Sequence, residues 1–269
     1  MENDPQNALA GLGRWNLTRD DSGPYRVYRD ESGKSYASVT HILKETAPQR
    51  QKDALEKWLE RPSAPKERDI ACTRGKLAHD HAEYLLKTAA KRSRNLANKR
   101  GSWRTGNDAL ERCPQSITAW GLKKASEGAP SVSWSASGYA RGLKRWILEH
   151  VTAIHAIEFS IRDPRGWAGT ADALIDLDGV LCVADWKTSV NARSEEMLQN
   201  YICQIGAYSL GLQTMTGIRA KAGAIVVARR SGAPQARILS ELELRGAEVQ
   251  WLDRMSLWTA QQKLEANAE

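Results

Sequence analysis

Several features that would place this chain in other protein classes are scarce or missing. None of its apolar runs approaches the length that a membrane-spanning helix needs, and the first residues lack the apolar stretch of a secretory signal. Without an export signal, a disulfide framework is not expected from its four cysteines, which form no Cys-x-x-Cys pair. We therefore expect a protein of the cytoplasm in a bacterial or phage-infected cell, while a mitochondrial location stays open.

Acidic residues are missing from one long stretch of a chain whose formal net charge is +7. Trp103 lies in this stretch, and a basic surface with aromatic side chains is typical of proteins that bind single-stranded DNA. We expect these residues, which we call the basic segment, to follow the phosphate backbone of DNA; the alternative is a solvated helix face. The basic segment consists of Trp103 and of Lys87, Lys91, Arg92, Arg94, Lys99, Arg100 and Arg104.

The stretch from Gly169 to Ser189 predicts a β-hairpin. Two runs rich in Ile, Leu and Val flank Asp178-Gly179, a dipeptide that is typical of two-residue turns. With this turn, Leu177 faces Val180, and the pairing of every residue farther from the turn follows by counting outward.

Counting outward places Asp172 directly opposite Asp185, and the alternation of side chains puts both carboxylates and Lys187 on one face. Two opposed carboxylates repel each other unless a cation lies between them, so we expect a divalent metal ion with a lysine beside it, as in a nuclease. The alternative is a surface hairpin with a solvated ion pair, which contributes little stability. The opposite face is apolar and suited to a core: Ala173, Ile175, Leu177, Val180, Cys182, Ala184 and Trp186.

The two strands carry the motifs Gly-x-x-Asp, at Gly169–Asp172, and Asp-x-Lys-Thr, at Asp185–Thr188. Their order and spacing resemble the PD-(D/E)xK nuclease superfamily in its RecB-like exonuclease branch. The resemblance implies an α/β fold with a restriction-endonuclease-like core, in which helices flank a central mixed β-sheet. It also implies that both aspartates and the backbone carbonyl of Trp186 hold a metal ion. Lys187 would then act on the attacking water and on the phosphorane.

Further site residues follow from the same resemblance. RecB-like exonucleases carry a metal-binding histidine in a Gly-x-x-x-His motif on an early helix, and Gly75 and His79 match it. Glu158 matches a glutamate that faces the metals from the strand before the hairpin. Gln204 and Tyr208 resemble the Gln-x-x-x-Tyr motif that orients the lysine and the nucleic-acid backbone. The alternatives are an exposed helical histidine, a solvated edge-strand glutamate, and a surface glutamine beside a half-buried tyrosine.

These ligands suit Mg²⁺ or Mn²⁺, and the imidazole favours Mn²⁺. One or two ions are expected, because a second cation near the leaving oxygen assists displacement at phosphorus. Thr188 and Ser189 offer hydroxyl groups for contacts with phosphate. Some RecB-like nucleases also hold an iron–sulfur cluster on one early and three late cysteines. Because no cysteine follows Cys203, we expect no such cluster here.

The chain divides into three parts in this interpretation. Residues 1–24 form a disordered tail, residues 25–149 a helical N-terminal portion with the histidine and the basic segment, and residues 150–269 the nuclease core. The start of the helical portion, a short hairpin before Ser38, resembles that of mitochondrial genome maintenance exonucleases and their phage relatives. A long helix is predicted from Lys66 to Ala90.

Together these patterns predict a metal-dependent DNA exonuclease that prefers single-stranded DNA or free ends. Its place would be in replication, recombination, repair or phage genome processing. Two other functions stay open: a non-catalytic nuclease-fold module that binds DNA ends, and a structure-specific or restriction-type endonuclease. The intact Asp172, Asp185 and Lys187 argue against the first, since a binding module needs no opposed carboxylates. Nothing in the sequence resembles the base-reading element that a restriction enzyme requires.

Overall fold

The computed structural model describes residues 17–23, 25–105 and 110–267. Ten strands lie in this part of the chain, and the main mixed sheet has eight of them. In chain order the strands are β1 (Thr18–Asp20), β2 (Val27–Arg29), β3 (Ser35–Ser38), β4 (Arg104–Thr105), β5 (Glu111–Arg112), β6 (Val151–Asp163), β7 (Trp167–Leu177), β8 (Val180–Ser189), β9 (Ala222–Arg229) and β10 (Gln235–Leu239).

Seven helices occupy the described residues: α1 (Val39–Glu45), α2 (Gln49–Leu59), α3 (Ala64–Arg100), α4 (Gln115–Glu127), α5 (Trp134–His150), α6 (Glu195–Thr216) and α7 (Glu241–Ala266). Three of them begin at a serine whose hydroxyl accepts a hydrogen bond from a backbone N–H of the first turn: Ser38, Ser194 and Ser240. None of the described helices is long and apolar enough to cross a membrane.

The β7–β8 hairpin has the predicted register. The two strands pair from Leu177 with Val180 at the turn to Ala173 with Ala184 at the far end. Both turn residues have positive φ, 50° and 83°, as a two-residue type I′ turn requires. The ladder ends one pair before the two aspartates, so the strands separate at the point where the predicted site lies.

Strand β7 borders three other strands. Strand β6 pairs along the whole of one edge, while the other edge is shared by two strands. Of that edge, β8 pairs with Ala173–Leu177 and β3 pairs in parallel with Trp167 and Ala168. We call the gap between β3 and β8, at Gly169–Asp172, the fork. Along its other edge β8 pairs in parallel with β9. Strand β10 pairs with β9 and is the last strand on this side of the sheet.

Helices cover both faces of the sheet. Helices α3, α4 and α5 pack on the face of the hairpin that was predicted to be apolar, which includes Ile175 and Trp186. Helices α1, α6 and α7 pack on the other face, on residues such as Leu174 and Val183. By alternation the two aspartates belong to this second face. The predicted fold class, a central mixed sheet flanked by helices, is confirmed.

Two parts of the predicted organisation differ from the structure. Residues 18–20, assigned to the tail, form β1, because they pair with β2 and because Arg19 and Arg26 form ion pairs with Asp21. The rest of the predicted tail, residues 1–16 and 24, lies outside the described residues. Strands β2 and β3 form the short hairpin predicted before Ser38, but β3 also pairs with β7, so the central sheet is not confined to residues 150–269.

Helix α3 ends at Arg100 rather than near Ala90. The small side chains of Ser93 and Ala97 are buried beyond the predicted end, and the hydroxyl of Ser93 donates to the carbonyl of Ile117 on α4, 3.2 Å away. The helix continues because one of its faces continues to pack. In the sequence, the basic residues on both sides of these small side chains conceal that face.

Candidate active site

A cavity of about 600 Å³ opens at the fork. Its walls come from β2, β3, α3 and α6 and from the middle of β6, β7 and β8. Every side chain that the sequence assigned to the chemistry lines this cavity: His79, Glu158, Asp172, Asp185, Lys187, Gln204 and Tyr208.

Asp172 lies just beyond the end of the β7–β8 ladder. Its Oδ2 accepts a hydrogen bond from the backbone N–H of Trp186 (2.5 Å), and its Oδ1 lies 3.4 Å from Nδ1 of His79. Burial alone would raise the pKa of this carboxyl group, but His79, Lys187 and the Trp186 N–H outweigh burial and lower the pKa. Asp172 is therefore an anion at neutral pH.

His79 reaches the fork from α3, which covers the opposite face of the sheet. Gly75, one turn earlier, lies directly over β8, and a Cβ atom there would be 3.3 Å from Oγ1 of Thr188. Burial lowers the pKa of the imidazole, but the hydrogen bond and the charge of Asp172 outweigh it and raise the pKa. The close approach of α3 to β8 thus brings the histidine to the aspartate.

Asp185 and Lys187 form a buried ion pair through Oδ2 and Nζ. Burial raises the pKa of Asp185 to about 6; the pull of Lys187 opposes this rise and repulsion from Asp172 adds to it. Burial lowers the pKa of Lys187, but attraction to both aspartates outweighs burial and raises it. The Lys187 ammonium also lies 5.1 Å from the ring centroid of Tyr201. Lys187 is therefore a cation at neutral pH.

Helix α6 supplies Gln204 and Tyr208, one turn apart. The amide Nε2 of Gln204 donates to the Tyr208 hydroxyl at 2.6 Å and lies 3.4 Å from Oδ1 of Asp185. The ring of Tyr208 fills the fork beside Gly169, where a Cβ atom would lie 2.7 Å from the ring. Only glycine leaves room for this contact. Burial and the charge of Asp185 raise the pKa of Tyr208, so its hydroxyl stays protonated.

Glu158 lies on β6 opposite Asp172, between the pairs Ile157–Ala173 and Phe159–Ala171. Its φ is 48°, a left-handed value that is strained in a strand and that is found most often at functional sites. Loss of hydration raises the pKa of the carboxyl group to about 8, and repulsion from Asp172 and Glu83 adds to the rise. Although Glu158 is exposed at the cavity, partial burial of its carboxyl group and repulsion from Asp172 thus favour the protonated form in the metal-free site.

Three of these side chains are suited to hold a metal ion. The ligand atoms of His79, Glu158 and Asp172 all lie within 4.8 Å of one another. One imidazole nitrogen and two carboxylates form a donor set that fits Mn²⁺ or Mg²⁺. A divalent cation would also offset the repulsion that raises the pKa of Glu158. The residues present therefore fit a divalent ion.

Two other predicted ligands, Asp185 and the backbone of Trp186, have partners of their own in the structure. Asp185 is paired with Lys187 and Gln204 and is not part of the three-residue cluster. The N–H of Trp186 is directed at Asp172. The roles of Asp185 and of the Trp186 carbonyl as metal ligands stay predictions.

The basic segment follows the second half of α3 and β4, away from the cavity. With a rise of about 1.5 Å per residue, Lys91 is roughly 18 Å from His79 along the helix, and Arg100 is roughly 30 Å away. The expectation that no acidic side chain neutralises this segment is wrong for Lys87, which forms an ion pair with Glu83 in the preceding turn.

Other predicted DNA contacts have partners within the protein. Arg92 donates to the carbonyl of Lys124 (2.7 Å), and Trp103 donates to Asn98 (2.6 Å). Thr188 lies against α3, and Ser189 is buried, so neither lines the cavity. Their roles in DNA binding stay predictions. The exposed members of the basic segment are Lys87, Lys91, Arg94, Lys99, Arg100 and Arg104.

Sequence reasoning missed several residues of the cavity wall. The hydroxyl groups of Tyr28 and Thr170 are 3.3 Å apart there, and Arg19 and Arg26 add positive charge. These positions depend on the docking of β3 against β7, which no local pattern reveals. Lys76 also lines the cavity, and its place three residues before the histidine on one helix could have identified it.

Residues 43–266 match the family model of the PD-(D/E)XK nuclease superfamily. The chain is also similar to mitochondrial genome maintenance exonuclease 1 of Homo sapiens, at 29% identity over 133 residues, which are 47% of this chain and 38% of the human protein. With the Mus musculus protein of the same name it shares 25% identity over 243 residues, 85% of this chain and 60% of the mouse protein. The chain thus spans less than two thirds of the length of either relative.

Solved structures are similar only at a distance. The crystal structure of SSO0001 matches with a TM-score of 0.30 and 15% identity, over 65% of this chain and 74% of that one. A suggested exonuclease from Eubacterium rectale matches with a TM-score of 0.33 and 11% identity, over 66% of this chain and 82% of that one. Scores this low support no functional comparison.

Proposed function

This chain belongs to the PD-(D/E)XK nuclease superfamily, and we propose that it is a metal-dependent DNA exonuclease that prefers single-stranded DNA. The observation that carries the proposal is the cluster of His79, Glu158 and Asp172 beside the Lys187 ammonium, in one open cavity. The names of the human and mouse relatives support an exonuclease, and the net charge of +7 supports a polyanionic substrate.

His79, Glu158 and Asp172 would hold a Mg²⁺ or Mn²⁺ ion, and Asp185 would be a further ligand. When bound, such an ion acidifies a water molecule and stabilises negative charge on phosphate oxygens. The residues of the chain then have two tasks. They must hold the ligands in place without the help of the metal, and they must stabilise the pentavalent phosphorane.

Lys187 is suited to stabilise the pentavalent phosphorane. Because its pKa is raised, it stays protonated at neutral pH and can donate a hydrogen bond to a phosphate oxygen as negative charge develops there. A lysine held this way is a poor proton acceptor, so we assign it charge stabilisation and orientation of the attacking water rather than general-base catalysis.

Gln204 and Tyr208 are suited to hold the side chains of the site in place. The Gln204 amide is positioned by the Tyr208 hydroxyl and contacts Asp185, which in turn pairs with Lys187. We propose that this chain of contacts keeps the lysine aimed at the scissile phosphate. Arg19 and Lys76, on the cavity wall, would bind flanking phosphates.

A labelled-DNA digestion tests the proposal. Single- and double-stranded DNA with a label at either end is incubated with Mg²⁺, Mn²⁺ or EDTA, beside a circular single strand and the variant Asp172→Asn. We expect mononucleotides or short products from linear single strands, no cleavage of the circle, and no product with EDTA or with the variant. The end from which label is released first gives the polarity.

The same digestion separates the two alternatives. Cleavage of the circular strand would favour a structure-specific or restriction-type endonuclease. Tight binding to DNA ends with no product under any metal condition would favour a non-catalytic module. We further propose, from the likeness to mitochondrial genome maintenance exonucleases, a role in replication, recombination, repair or phage genome processing.

A further inference from the structure

A second cavity, of about 650 Å³, lies on the other side of α3 from the metal-binding cluster. It is formed by the first half of α5, by α3 and by the turn between β9 and β10. We call it the arginine groove, after Arg74, Arg141, Arg145 and Arg230, which line it. None of the described residues that line it is acidic.

Among the described residues, no carboxylate pairs with the arginines of the groove. Arg141, Arg145 and Arg230 form no ion pair with any side chain that the structure describes. Arg74 stacks on the ring of Tyr139, 4.6 Å from its centroid, and its buried Nε has no hydrogen-bond partner among the described residues. Four guanidinium groups in one cavity repel one another, so the groove is suited to an anion with several charges.

Trp134, the first residue of α5, stands at this groove with 81% of its surface exposed. The guanidinium of Arg230 lies 5.7 Å from the centroid of the Trp134 ring. The turn that carries Arg230 packs closely on α5, because a Cβ atom on Gly138 would lie 1.9 Å from the Arg230 carbonyl oxygen. The ring is thus an exposed platform beside a cation.

Helix α3 connects the groove to the metal-binding cluster. Arg74 lines the groove, while Lys76 and His79 line the cavity at the fork, so two successive turns of one helix face the two cavities. Between them Gly75 rests on β8. The two cavities therefore lie on opposite sides of one helix, and residues that line them are within two turns of each other along it.

We propose that the arginine groove binds single-stranded DNA beyond the scissile nucleotide, with an unpaired base stacked on Trp134 and phosphates on the arginines. This inference rests on the proposed function. Aromatic platforms within basic grooves bind single strands without regard to sequence, because every base has a face that can stack. In a duplex the bases are already stacked on one another, so the ring would have no partner.

Binding measured in EDTA tests this without hydrolysis. The probes are fluorescein-labelled oligothymidylates of about five and about twenty nucleotides, the short one being near the minimal length of a single-strand site. Trp134→Ala should weaken binding of the longer strand by about fivefold or more, the effect of losing one stacked base. Arg141→Gln with Arg145→Gln should flatten the salt dependence of log Kd by about 0.7 for each lost contact. Binding of the short strand should change little.

Trp120→Ala is the matched control, because Trp120 is 41% exposed on α4 and does not line the groove. Unchanged affinity in Trp134→Ala, an equal loss in Trp120→Ala, or an equal loss for duplex DNA would each overturn the inference. The outcome is separable from the proposed function. Normal exonuclease activity with unaltered binding would overturn only the groove, and Trp134-dependent binding without hydrolysis would overturn only the exonuclease.

Discussion

Lys187 and Lys76 both place a positive charge in the same cavity, but only Lys187 belongs to the Asp-x-Lys strand and pairs with Asp185. If the two lysines have different tasks, their removal should alter different kinetic constants. Lys187 is expected to stabilise charge that develops in the transition state, whereas Lys76 is expected to bind a phosphate that is present throughout.

We expect Lys187→Ala to lower kcat by about 10²-fold or more with little change in the Kd for DNA. Lys76→Ala, the matched control, should weaken binding and leave kcat near the parent value. Single-turnover rates and DNA titrations in Ca²⁺ or EDTA measure the two quantities. A normal kcat in Lys187→Ala would refute the assignment of the Asp-x-Lys motif.

The carboxyl group of Glu158 connects the site to the stability of the metal-free protein. Its pKa is about 8 in the folded chain, against an ordinary value of 4.5. The folded protein therefore keeps a proton that the unfolded chain releases above about pH 5. The stabilising effect of this proton is complete below the ordinary pKa and is lost as the pH rises toward 8.

We therefore expect the metal-free protein to lose stability between pH 5 and pH 8, and Glu158→Gln to remove much of this loss. Because the variant has no charge to lose, it should be at least as stable as the parent at pH 8, and it should bind Mn²⁺ more weakly. Urea unfolding in EDTA across this pH range checks the first point, and calorimetric titration the second. If the stability of both proteins changes with pH in the same way, the pKa of Glu158 is not raised in the folded protein.

At the scale of elements, the hairpin and the fork differ in how far sequence could reveal them. The Asp178-Gly179 turn and the alternation that follows it are local, so the register of β7 and β8 could be predicted. The attachment of β3 to Trp167 and Ala168 is not local, and neither is the positive φ of Glu158, which arises where β6 meets Asp172. The ligand set was therefore predicted by resemblance, whereas its grouping required the structure.

Helix α3 shows the same limit. Its histidine could be identified from the Gly-x-x-x-His spacing, but the second half of the helix was predicted as a basic surface without partners. Two of those residues have partners: Glu83 pairs with Lys87, and Arg92 donates to the carbonyl of Lys124. The residues that remain exposed and unengaged by these contacts are the ones suited to test DNA binding.

We expect the triple variant Lys91→Gln, Arg94→Gln, Lys99→Gln to weaken DNA binding for all sequences alike. The salt dependence of log Kd should flatten by up to about 0.7 per lost contact on a single strand. Turnover at saturating DNA should hardly change, because these residues are far from the metal cluster along α3. A matched triple change at exposed lysines elsewhere, Lys57, Lys66 and Lys263, should have a smaller effect. Equal behaviour of the two triple variants would mean that the basic segment is only a solvated helix face.

For the whole molecule, a metal ion held by His79, Glu158 and Asp172 would connect α3 to β6 and β7, and so the helical layer to the sheet. Binding to the folded chain alone stabilises it by about 2.7 kcal/mol when the free ion is at a hundred times its Kd. For a protein of this size that corresponds to a rise in Tm of roughly 5 °C.

We expect Mn²⁺ to raise the Tm by this amount and EDTA to reverse the rise. Asp172→Asn should lose most of the shift, because it removes a ligand. Lys187→Ala should retain it, because the lysine acts on substrate rather than on the metal. Thermal unfolding followed by circular dichroism gives the Tm of the parent and of both variants. A full shift in Asp172→Asn would place the ion elsewhere.

The docking of β3 at the fork also determines when the proposed catalytic centre can be complete. Tyr28 and Thr170, which meet in the cavity wall, are 142 residues apart in the chain, and the tyrosine that fills the fork follows later still. During synthesis at roughly 5–20 residues per second, the early segments wait many seconds for the strands that complete them. Because such long-range pairings form late, a growing chain carries its histidine and first strands long before it has a catalytic centre. The proposed nuclease activity would therefore arise only once the fold is nearly complete.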